Sequence, residues 1–432
     1  MTSMDTKKKL TKLEKSWILY DIGNSAFTLL VSTLIPIYFN SLAGAAGIDE
    51  EMYLSYWGYA GSISTILVAI IAPICGTLSD RRFKKPIFLL TVILGCVACV
   101  ALGLTTHWLF FLGIFVLAKV GFHSSIVFYD SMLPEVTSEE RMDNVSSMGY
   151  AFGYIGSVIP FVICLVLVLF AESFGMTMGT AMVIAFLITA AWWAIFSLPL
   201  LKRYKQTAYM EKKGTAVGDT FRQLYNTFKE AKKEKHVFVY LISFFFFING
   251  VYTIIDMATA YGNALGLDTT GLLLALLVTQ IVAFPCAIIF GKLSAKYDTA
   301  LLIKVCIVCY TCITLFGMFL VSLWQFWLLA VLVGMFQGGV QALSRSYLGK
   351  IIPAERSGEF YGLMDICGKG ASFVGTTLVA FVNQIAAGVE IHIFGITLVN
   401  ANLAVGALIF LFIIGYLLFC KADKLNKARL SR

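Results

Sequence analysis

Apolar runs long enough to cross a lipid bilayer recur along almost the whole chain of 432 residues. A membrane-spanning helix needs about 20 apolar residues, and the runs lie at 17–41, 56–79, 86–105, 108–131, 145–170, 176–200, 237–262, 270–293, 300–321, 325–348, 359–384 and 393–419. Charged residues make up only 13% of the chain, whereas about a quarter is usual in soluble domains. The sequence therefore excludes a water-soluble enzyme and predicts an all-α membrane protein with twelve transmembrane helices.

Basic residues are confined to alternate connections between these runs. Lys and Arg cluster at the N-terminus, at 81–85, at 202–235 and at 421–432, whereas the other connections (42–55, 106, 171–175, 263–269, 322–324 and 385–392) contain acidic residues but no Lys or Arg. Because cytoplasmic loops carry the excess of basic residues, both termini are predicted to be cytoplasmic. The net charge of +8 is then an orientation signal, and no nucleic-acid partner is expected.

Motifs of covalent or metal chemistry are not found. Nine of the ten Cys lie inside apolar runs without polar partners, which is typical of packing residues. A phosphate-binding loop, a nucleophile elbow and a metal-ligand cluster are all missing from the sequence. We therefore expect neither enzymatic activity nor a metal or cofactor. The expected partners are a small solute and membrane lipids, and the chain is expected to be a monomer.

The one long connection, 201–236, lies at the middle of the chain. Within it, apolar residues recur at helical spacing among basic ones, at Phe221, Leu224, Tyr225 and Phe228. This pattern predicts an amphipathic helix on the cytoplasmic membrane face, serving as a linker or as a regulatory element. The chain is thus divided into a first bundle at 1–200, a linker at 201–236 and a second bundle at 237–432.

Two short motifs recur at one common spacing of 215 residues. Gly76-Thr-Leu-Ser returns as Gly291-Lys-Leu-Ser, and Glu140-Arg141 returns as Glu355-Arg356. Each pair occupies the same connection in its half of the chain. The repeat predicts two six-helix bundles related by a pseudo-two-fold axis along the membrane normal, with a binding site near the midplane between them.

The first copy of that motif, Gly76-Thr-Leu-Ser-Asp80-Arg81-Arg82-Phe-Lys-Lys85, resembles the signature loop of the major facilitator superfamily. The resemblance implies that Gly76, Asp80 and Arg81 help to latch the outward-open state. Physically, Gly76 permits close helix approach, and Asp80 can accept hydrogen bonds from the N-terminus of a neighbouring helix. The second copy has Ala295 in place of the acid, so the two latches are predicted to differ.

Three further segments resemble one branch of that superfamily, the vacuolar amino-acid effluxer-like, autophagy-linked family. They are Tyr20-Asp-Ile-Gly-Asn-Ser-Ala-Phe27, Phe128-Tyr-Asp-Ser-Met-Leu-Pro-Glu135 and Gln337-Gly-Gly-Val-Gln-Ala-Leu-Ser-Arg-Ser346. Family membership implies a major facilitator fold and the movement of amino acids or similar small solutes.

Ionisable residues inside apolar runs are costly and usually face a cavity or one another. Lys119 and His123 lie one turn apart near the middle of the fourth run, where they line a cavity or pair structurally with a carboxylate. Asp365 and Lys369 have the i, i+4 spacing of a helical ion pair; alternatively, protonation of Asp365 releases Lys369 for a substrate carboxylate. Asp256 has no cation nearby in the sequence and is the leading candidate for a protonatable, buried carboxyl; the alternatives are a hydrogen-bonded neutral acid and an exposed helix end.

Three charged residues are predicted to lie toward the cytoplasmic ends of their helices. Asp130 and Arg345 are separated by the repeat spacing and have opposite charges. We hypothesise that they form an inner gate together with Asp21, the alternative being anchoring at the membrane interface.

Amide and hydroxyl groups complete the candidate binding site. The resemblance implies that the first, fourth, seventh and tenth helices line the cavity, and these helices carry the candidate residues Asn24, Asn249, Tyr252, Gln337 and Gln341. Together with Lys119, His123 and Lys369 they form the predicted substrate site, whereas Asp256 and Asp365 are the predicted proton-coupling groups.

The sequence therefore predicts a secondary active transporter for an amino acid or a related zwitterion or organic anion, coupled to protons. Alternatives are a carrier of a larger polar cargo such as a sugar or cell-wall fragment, a lipid flippase, and a membrane scaffold without transport. The short loops favour a bacterial cytoplasmic membrane.

Overall fold

The structure is a computed structural model that describes residues 9–48, 50–210, 229, 232–386, 388–393 and 396–431. Within described helices, a few side chains are left out of the description, and that of Lys369 is among them. The amphipathic segment predicted at 221–228 lies outside the described residues.

Helices α1 to α8 make up the N-terminal group. Their bounds are Lys12–Ser32 for α1, Leu34–Ala45 for α2, Glu50–Leu78 for α3, Lys84–Ala101 for α4, Trp108–Ser131 for α5, Leu133–Val136 for α6, Glu139–Leu169 for α7 and Met178–Arg203 for α8. A five-residue π-helical turn at Ser79–Phe83 joins α3 to α4. Short 3₁₀ turns follow α4 and α7.

Helices α9 to α15 make up the C-terminal group. Their bounds are Lys235–Ala264 for α9, Thr269–Leu293 for α10, Thr299–Met318 for α11, Leu323–Ile351 for α12, Ser357–Ile385 for α13, Asn400–Gly406 for α14 and Leu408–Leu430 for α15. A 3₁₀ turn precedes α13. Strands β1 (Ile391–Ile393) and β2 (Ile396–Leu398) form an antiparallel hairpin with Ile391 opposite Leu398.

Apart from the short hairpin, the structure confirms a helical membrane protein. Among the described residues, ten helices are long and apolar enough to span a bilayer, and shorter apolar helical stretches lie at Tyr56–Ala72 and Val374–Ile385. Several helices extend beyond the apolar runs: α7 begins at Glu139 and α15 ends at Leu430, because charged residues continue the helix out of the membrane.

Two of the predicted spans differ from the structure. The first is broken at Thr33, where the backbone leaves the helical region before α2 resumes. Pro36 explains this break, since its ring clashes with the carbonyl group four residues earlier and it has no N–H to donate. The last predicted span, 393–419, is wrong at its start because Ile391–Leu398 forms the hairpin and the helix begins at Asn400.

The helices of each group pack in matching pairs. In the N-terminal group α1 packs against α7 and α8, and α3 packs against α5; in the C-terminal group α9 packs against α13 and α15, and α10 packs against α12. One buried apolar core lies within residues 17–204 and the largest core of the other group lies within residues 237–422. Helices α3 and α13, and α7 and α10, pack across the two groups.

We call the end of the molecule at which α1 begins and α3 ends the basic end. Among the described residues, the side-chain hydrogen bonds that join the two groups lie in the part of the helices nearest this end, and the one farthest from it joins Tyr154 to Gln341. Apolar contacts between the groups extend farther along the helices, since Leu277 of α10 packs against the N-terminal core. The polar contacts between the groups are therefore concentrated toward the basic end.

Candidate functional site

A buried arginine of α12 joins the two helix groups at the basic end. The Arg345 guanidinium donates from Nη1 to Oδ1 of Asp130 at 2.9 Å, and its Nη2 lies 3.4 Å from Oδ2 of Asp21. Its Nε donates to Ser146 Oγ and its Nη2 to the Ser146 carbonyl oxygen, both at 2.9 Å. The charged group of one helix group is thus bound by three helices of the other, α1, α5 and α7.

Aromatic rings enclose the same guanidinium. Its central carbon lies 4.6 Å from the ring centroid of Trp17, 4.3 Å from that of Tyr150 and 5.5 Å from that of Tyr129. The Tyr129 hydroxyl donates to Asp21 at 2.9 Å, which holds that carboxylate in position. Cation–π contacts of this kind strengthen when water is excluded, so Arg345 is held in one orientation.

The ion pairs of Arg345 contribute little net stability to the folded protein, but removing one partner of such a pair is strongly destabilising. Two charges removed from water lose hydration, and their attraction roughly compensates for that loss. Removing one partner leaves the other buried and unpaired, at a cost of about 3–5 kcal/mol. The Arg345 cluster, defined here as Arg345, Asp21, Asp130 and Ser146, therefore ties α12 to the N-terminal group at the basic end. The structure brings together the three charged residues that the sequence analysis groups as a gate.

A second contact between the groups involves the loop after α3. Both oxygens of the buried Asp80 carboxylate accept backbone hydrogen bonds at the start of α13, from Gly358 N at 2.8 Å and from Glu359 N at 3.0 Å. A carboxylate is favoured at a helix N-terminus because the first N–H groups of the helix have no partner within it. This is the contact that the signature loop predicts for Asp80.

Gly76 allows this contact to form. A Cβ atom at position 76 would lie 2.6 Å from the carbonyl oxygen of Gly358, and one at Gly358 would lie 2.5 Å from the carbonyl oxygen of Gly76. The two backbones meet directly, so only glycine fits on either side of the α3–α13 contact.

Lys84, at the start of α4, and Glu135, in α6, form a buried ion pair that also contacts the C-terminal group. Lys84 Nζ lies 2.7 Å from Glu135 Oε1 and 2.9 Å from the hydroxyl of Ser357, the residue at which α13 begins. It also donates to the Ser131 carbonyl oxygen at 3.2 Å. Sequence analysis assigned no role to this pair, because basic residues in a cytoplasmic loop usually remain in solvent.

The segment after α8 binds the same loop. The Tyr204 hydroxyl and the backbone N–H groups of Thr207 and Ala208 donate to the Glu135 carboxylate. Gln206 Nε2 donates to the Ser79 carbonyl oxygen at 2.8 Å, and Met210 N donates to that of Asp80 at 2.7 Å. Residues 204–210 therefore connect the linker directly to the Asp80 loop.

Within the turn between α3 and α4, Arg81 and Arg82 leave the helical conformation. Arg82 has a positive φ of 76°, which is uncommon for a residue other than glycine. Its side chain bonds to the Tyr209 hydroxyl and stacks on that ring, with the guanidinium carbon 3.8 Å from the centroid. Arg81, a predicted gating residue, lies at the bend itself and is partly buried.

Glu135 makes the basic end sensitive to acid. Burial raises the pKa of Glu135, but Lys84 and the N–H groups of Ala208 and Thr207 outweigh this effect and hold the pKa below its ordinary value. A lowered pKa stabilises the folded protein above the ordinary glutamate pKa, and this contribution is lost as the pH falls through the lower, folded value. We expect Glu135→Gln to lower stability near neutral pH by about 3 kcal/mol, because Lys84 stays buried without its partner.

Thermal unfolding in detergent between neutral and acidic pH measures this effect. The difference between wild type and Glu135→Gln is expected to shrink as the pH falls below the ordinary glutamate pKa. Glu139→Gln, an exposed carboxylate at the start of α7, is the matched control and should follow the wild-type curve. A constant difference across the pH range would contradict the prediction.

A stripe of ionisable side chains runs along α5 away from the Arg345 cluster. Lys119, His123 and Asp130 lie on one face, and all three are partly exposed. On the C-terminal group, the partly exposed Tyr252 of α9 lies within electrostatic range of Asp130 and of Asp365 on α13. Asp130 therefore lies within electrostatic range of ionisable side chains of the C-terminal group, just beyond the Arg345 cluster.

The two glutamines of α12 differ in their surroundings. Gln341 accepts a hydrogen bond from the Tyr154 hydroxyl of α7 at 2.8 Å, so it bridges the groups. Gln337 is buried, and its carbonyl oxygen has no hydrogen-bond partner in the described part of the chain. A buried polar atom of this kind calls for a water molecule or a bound polar group.

Asn24 and Asn249 are buried, and the side-chain nitrogen of each has no hydrogen-bond partner in the part of the chain described. Asn249 is packed within its own group: its Oδ1 accepts from the Thr253 hydroxyl at 3.3 Å, and a Cβ at Gly375 of α13 would lie 2.0 Å from it. This asparagine therefore contacts α13 closely.

One prediction for the candidate proton-coupling residues is corrected. Asp256 is predicted as a buried carboxyl, but its side chain is exposed, because it lies one turn beyond Tyr252, toward the end of α9 that is farther from the basic end. Asp365 is partly buried. The predicted pairing of Asp365 with Lys369 involves a side chain outside the description.

Solved structures identify the class of this fold. The chain resembles the human organic anion transporter MFSD10 with a TM-score of 0.73 and 15% identity, covering 94% of this chain and 99% of that one. It resembles the major facilitator superfamily transporter FucP in the outward conformation with a TM-score of 0.69 and 14% identity, covering 95% and 97%. The fold is that of a major facilitator superfamily transporter.

Sequence relatives identify the family. The chain is 38% identical over 414 residues to the uncharacterized MFS-type transporter YxiO of Bacillus subtilis, covering 94% of each protein. It is 25% identical over 299 residues to autophagy-related protein 22-1 of Emericella nidulans, covering 59% of this chain and 49% of that protein. The family described as vacuole effluxer Atg22 like matches residues 6–418, and the chain belongs to it. This confirms the resemblance stated in the sequence analysis.

Proposed function

We propose that this protein is a secondary active transporter that moves a small polar solute by alternating access. One observation carries the proposal: the polar contacts between the two groups are concentrated toward the basic end, and Asp130 lies within electrostatic range of ionisable side chains of the C-terminal group just beyond the Arg345 cluster. A carrier that works by alternating access has one state in which one end is closed and the polar binding residues lie just beyond the closed end.

The proposal includes twelve spans arranged as two bundles of six, with boundaries at 1–200, 201–236 and 237–432. Support comes from the matching helix pairs in the two groups and from their separate cores. Repeat-related residues also meet across the groups, as Asp130 and Arg345 do at 2.9 Å. A pseudo-two-fold axis between the bundles produces such pairings.

We place the basic end, with both termini, on the cytoplasmic side of a bacterial inner membrane. The positive-inside distribution of Lys and Arg supports this orientation, and the Bacillus subtilis relative supports a bacterial membrane. With this orientation, the conformation described is closed to the cytoplasm, and the Arg345 cluster is the inner gate.

The proposed substrate is an amino acid or a related zwitterion or organic anion, and the protein acts as a monomer. Lys119 supplies positive charge and His123 supplies ring nitrogens from the N-terminal group, and Asp365 supplies negative charge from the C-terminal group. The buried Gln337 oxygen and the bridging Gln341 offer hydrogen bonds to polar groups. A solute carrying both charges suits these groups. The family description names an effluxer without a substrate, and one fold neighbour is named as an organic anion transporter.

Proton coupling is proposed to use Asp256 and Asp365. Asp256 is exposed, so protons reach it directly from the open side. Tyr252 lies within electrostatic range of both carboxylates and links them along α9 and α13. Protonation of Asp256 and Asp365 changes the net charge of the proposed binding site. Substrate binding is thereby coupled to proton movement.

Transport in proteoliposomes tests the proposal. A thermal-shift screen against amino acids, organic anions, sugars and nucleosides first selects a ligand, because specific binding stabilises the folded state. An imposed pH gradient is then expected to drive accumulation of that ligand. Asp256→Asn should reduce gradient-driven accumulation about tenfold for each pH unit imposed, since one proton moving down one pH unit releases about 1.4 kcal/mol.

Glu390→Gln is the matched control, because Glu390 is an exposed acid in the loop after α13, and it should transport like the wild type. Accumulation that ignores the gradient in wild type, with normal transport by Asp256→Asn, would reject proton coupling. Stabilisation by sugars alone would replace the proposed substrate class.

A further inference from the structure

We call the contact of Asp80 with the N–H groups of Gly358 and Glu359 the Asp80 latch. We propose that Asp143 of α7 is the acid of a second cytoplasmic latch. Its acid lies at the position that the repeat relates to the donor of the Asp80 latch. This inference rests on the proposed alternating-access cycle and adds a residue that controls it. The sequence analysis predicts that the latches differ because Ala295 replaces the acid, but it does not identify a substitute.

Among the described residues, the side-chain hydrogen bonds of Asp143 all cross from the N-terminal to the C-terminal group. Its Oδ2 accepts from the Thr299 hydroxyl at 2.5 Å and from Lys350 Nζ at 2.6 Å. Its Oδ1 accepts from the Ser346 hydroxyl at 2.6 Å. Lys350 also donates to Thr299 at 2.9 Å, which closes the network. Asp143 is 3% exposed, so this carboxylate is bound entirely by partners on α11 and α12.

The repeat spacing shows how this network relates to the first latch. In the first latch, the acid Asp80 lies on the N-terminal group and its donor Gly358 lies on the C-terminal group. The positions related to them by 215 residues are Ala295 and Asp143, respectively. The acid that the second loop lacks is thus present at the position equivalent to the donor.

The supporting ion pair has changed in the same way. The positions equivalent to Lys84 and Glu135 are Thr299 and Lys350. In the first latch these two residues pair with each other within one group. In the second, their equivalents have no acid and instead bind Asp143 from the opposite group. Position 295 has no acid and position 143 has one, so each of the two repeat-related sites has one acid that accepts hydrogen bonds from the opposite group.

Helix packing supports the equivalence. Gly291, the repeat partner of Gly76, lies at the α7–α10 contact, where a Cβ atom would be 2.9 Å from Cβ of Ser147. As at Gly76, a small residue allows close approach beside the acid. Helices α3 and α13 thus carry one latch, and α7 with α11 and α12 carry the other.

The two latches differ in the chemistry of their donors. Asp80 accepts hydrogen bonds from backbone N–H groups, so its partners cannot be exchanged with it by substituting side chains. Asp143 accepts from side chains, and its ion pair with Lys350 can therefore be exchanged. Hydrogen bonds to charged groups contribute more than those between neutral groups, so loss of either acid favours separation of the groups at the basic end.

Distance measurement across the basic end tests the inference. Spin labels are introduced through non-canonical amino acids at Glu140 and Lys296, which are exposed and lie on opposite groups. Asp143→Asn should raise the ratio of long to short distances at least about tenfold. The exchange Asp143→Lys with Lys350→Asp should return the distribution most of the way to wild type. Asp80→Asn should also lengthen the distance.

Thr299→Val removes one donor and is the milder variant if Asp143→Asn does not fold; it should shift the distribution in the same direction. An unchanged distribution in Asp143→Asn, with only a lower melting temperature, would overturn the inference, as would an exchange variant no better than Asp143→Lys alone. Solute uptake is recorded separately, so failed transport with a shifted distance rejects the proposed function and leaves the latch standing.

Discussion

Arg345→Asp is expected to open the basic end and to abolish transport. The substitution removes a guanidinium that binds Asp130 and Asp21 and places a third acid beside them in a buried site. Breaking a buried ion pair costs about 3–5 kcal/mol, which corresponds to a change of more than about a hundredfold in the population of the closed state. The cluster would then no longer hold α12 against α1, α5 and α7.

The measurement combines the spin-label distance across the basic end with the melting temperature. Arg345→Lys keeps the charge but loses the planar donor set that reaches Asp130 and Ser146 together, so a smaller shift is expected. Arg429→Asp makes the same charge change on the exposed end of α15 and should leave the distance unchanged.

Exchanging the charges separates gating from anchoring. In the double variant Asp130→Arg with Arg345→Asp, the new pair occupies the two positions whose side chains pair in the wild type, where Arg345 Nη1 lies 2.9 Å from Asp130 Oδ1. We expect it to recover a large part of the closed population. If the double variant is as open as Arg345→Asp alone, the pairing of these residues does not set the gate.

Hydrophobic run length predicted most helices because a bilayer-spanning helix must satisfy its backbone internally over about 20 residues. The fourth predicted run, 108–131, coincides with α5. The last run failed at its start because an apolar stretch such as Ile391–Leu398 also suits a hairpin, and periodicity cannot distinguish the two. The break at Thr33 follows from Pro36, and a prediction from hydrophobic run length alone does not take proline into account.

Site residues were predictable where the repeat spacing or the signature loop restricted them. The spacing alone paired Asp130 with Arg345, and the loop motif alone directed Asp80 to a helix N-terminus. Asp143 was missed because it lies in the second turn of α7 next to a connection predicted to be cytoplasmic, where an acid is ordinarily exposed to solvent. Applying the repeat spacing to Gly358 would have identified it. The aromatic enclosure of Arg345 could not have been predicted, since it depends on how α1, α5 and α7 rotate against one another.

Gly76→Ala is expected to prevent closure of the basic end. The added Cβ would lie 2.6 Å from the Gly358 carbonyl oxygen and 3.0 Å from its carbon, and backbone atoms cannot move aside as a flexible side chain does. Overpacking of this kind costs about 1–3 kcal/mol. Separation of α3 from α13 also removes the hydrogen bonds from Gly358 and Glu359 to Asp80, so the closed population should fall about tenfold to a hundredfold.

Helix propensity gives this prediction a control with the opposite sign. Alanine is favoured over glycine within a helix by roughly 0.5–1 kcal/mol, so Gly76→Ala would stabilise α3 if the contact with Gly358 did not matter. Gly61, on the same helix, has no atom within 4 Å of an added Cβ. Gly61→Ala should therefore keep the wild-type distance across the basic end and melt at the same temperature or higher. If both variants behave alike, close approach of α3 and α13 does not limit closure, and the Asp80 latch has to hold the groups without it.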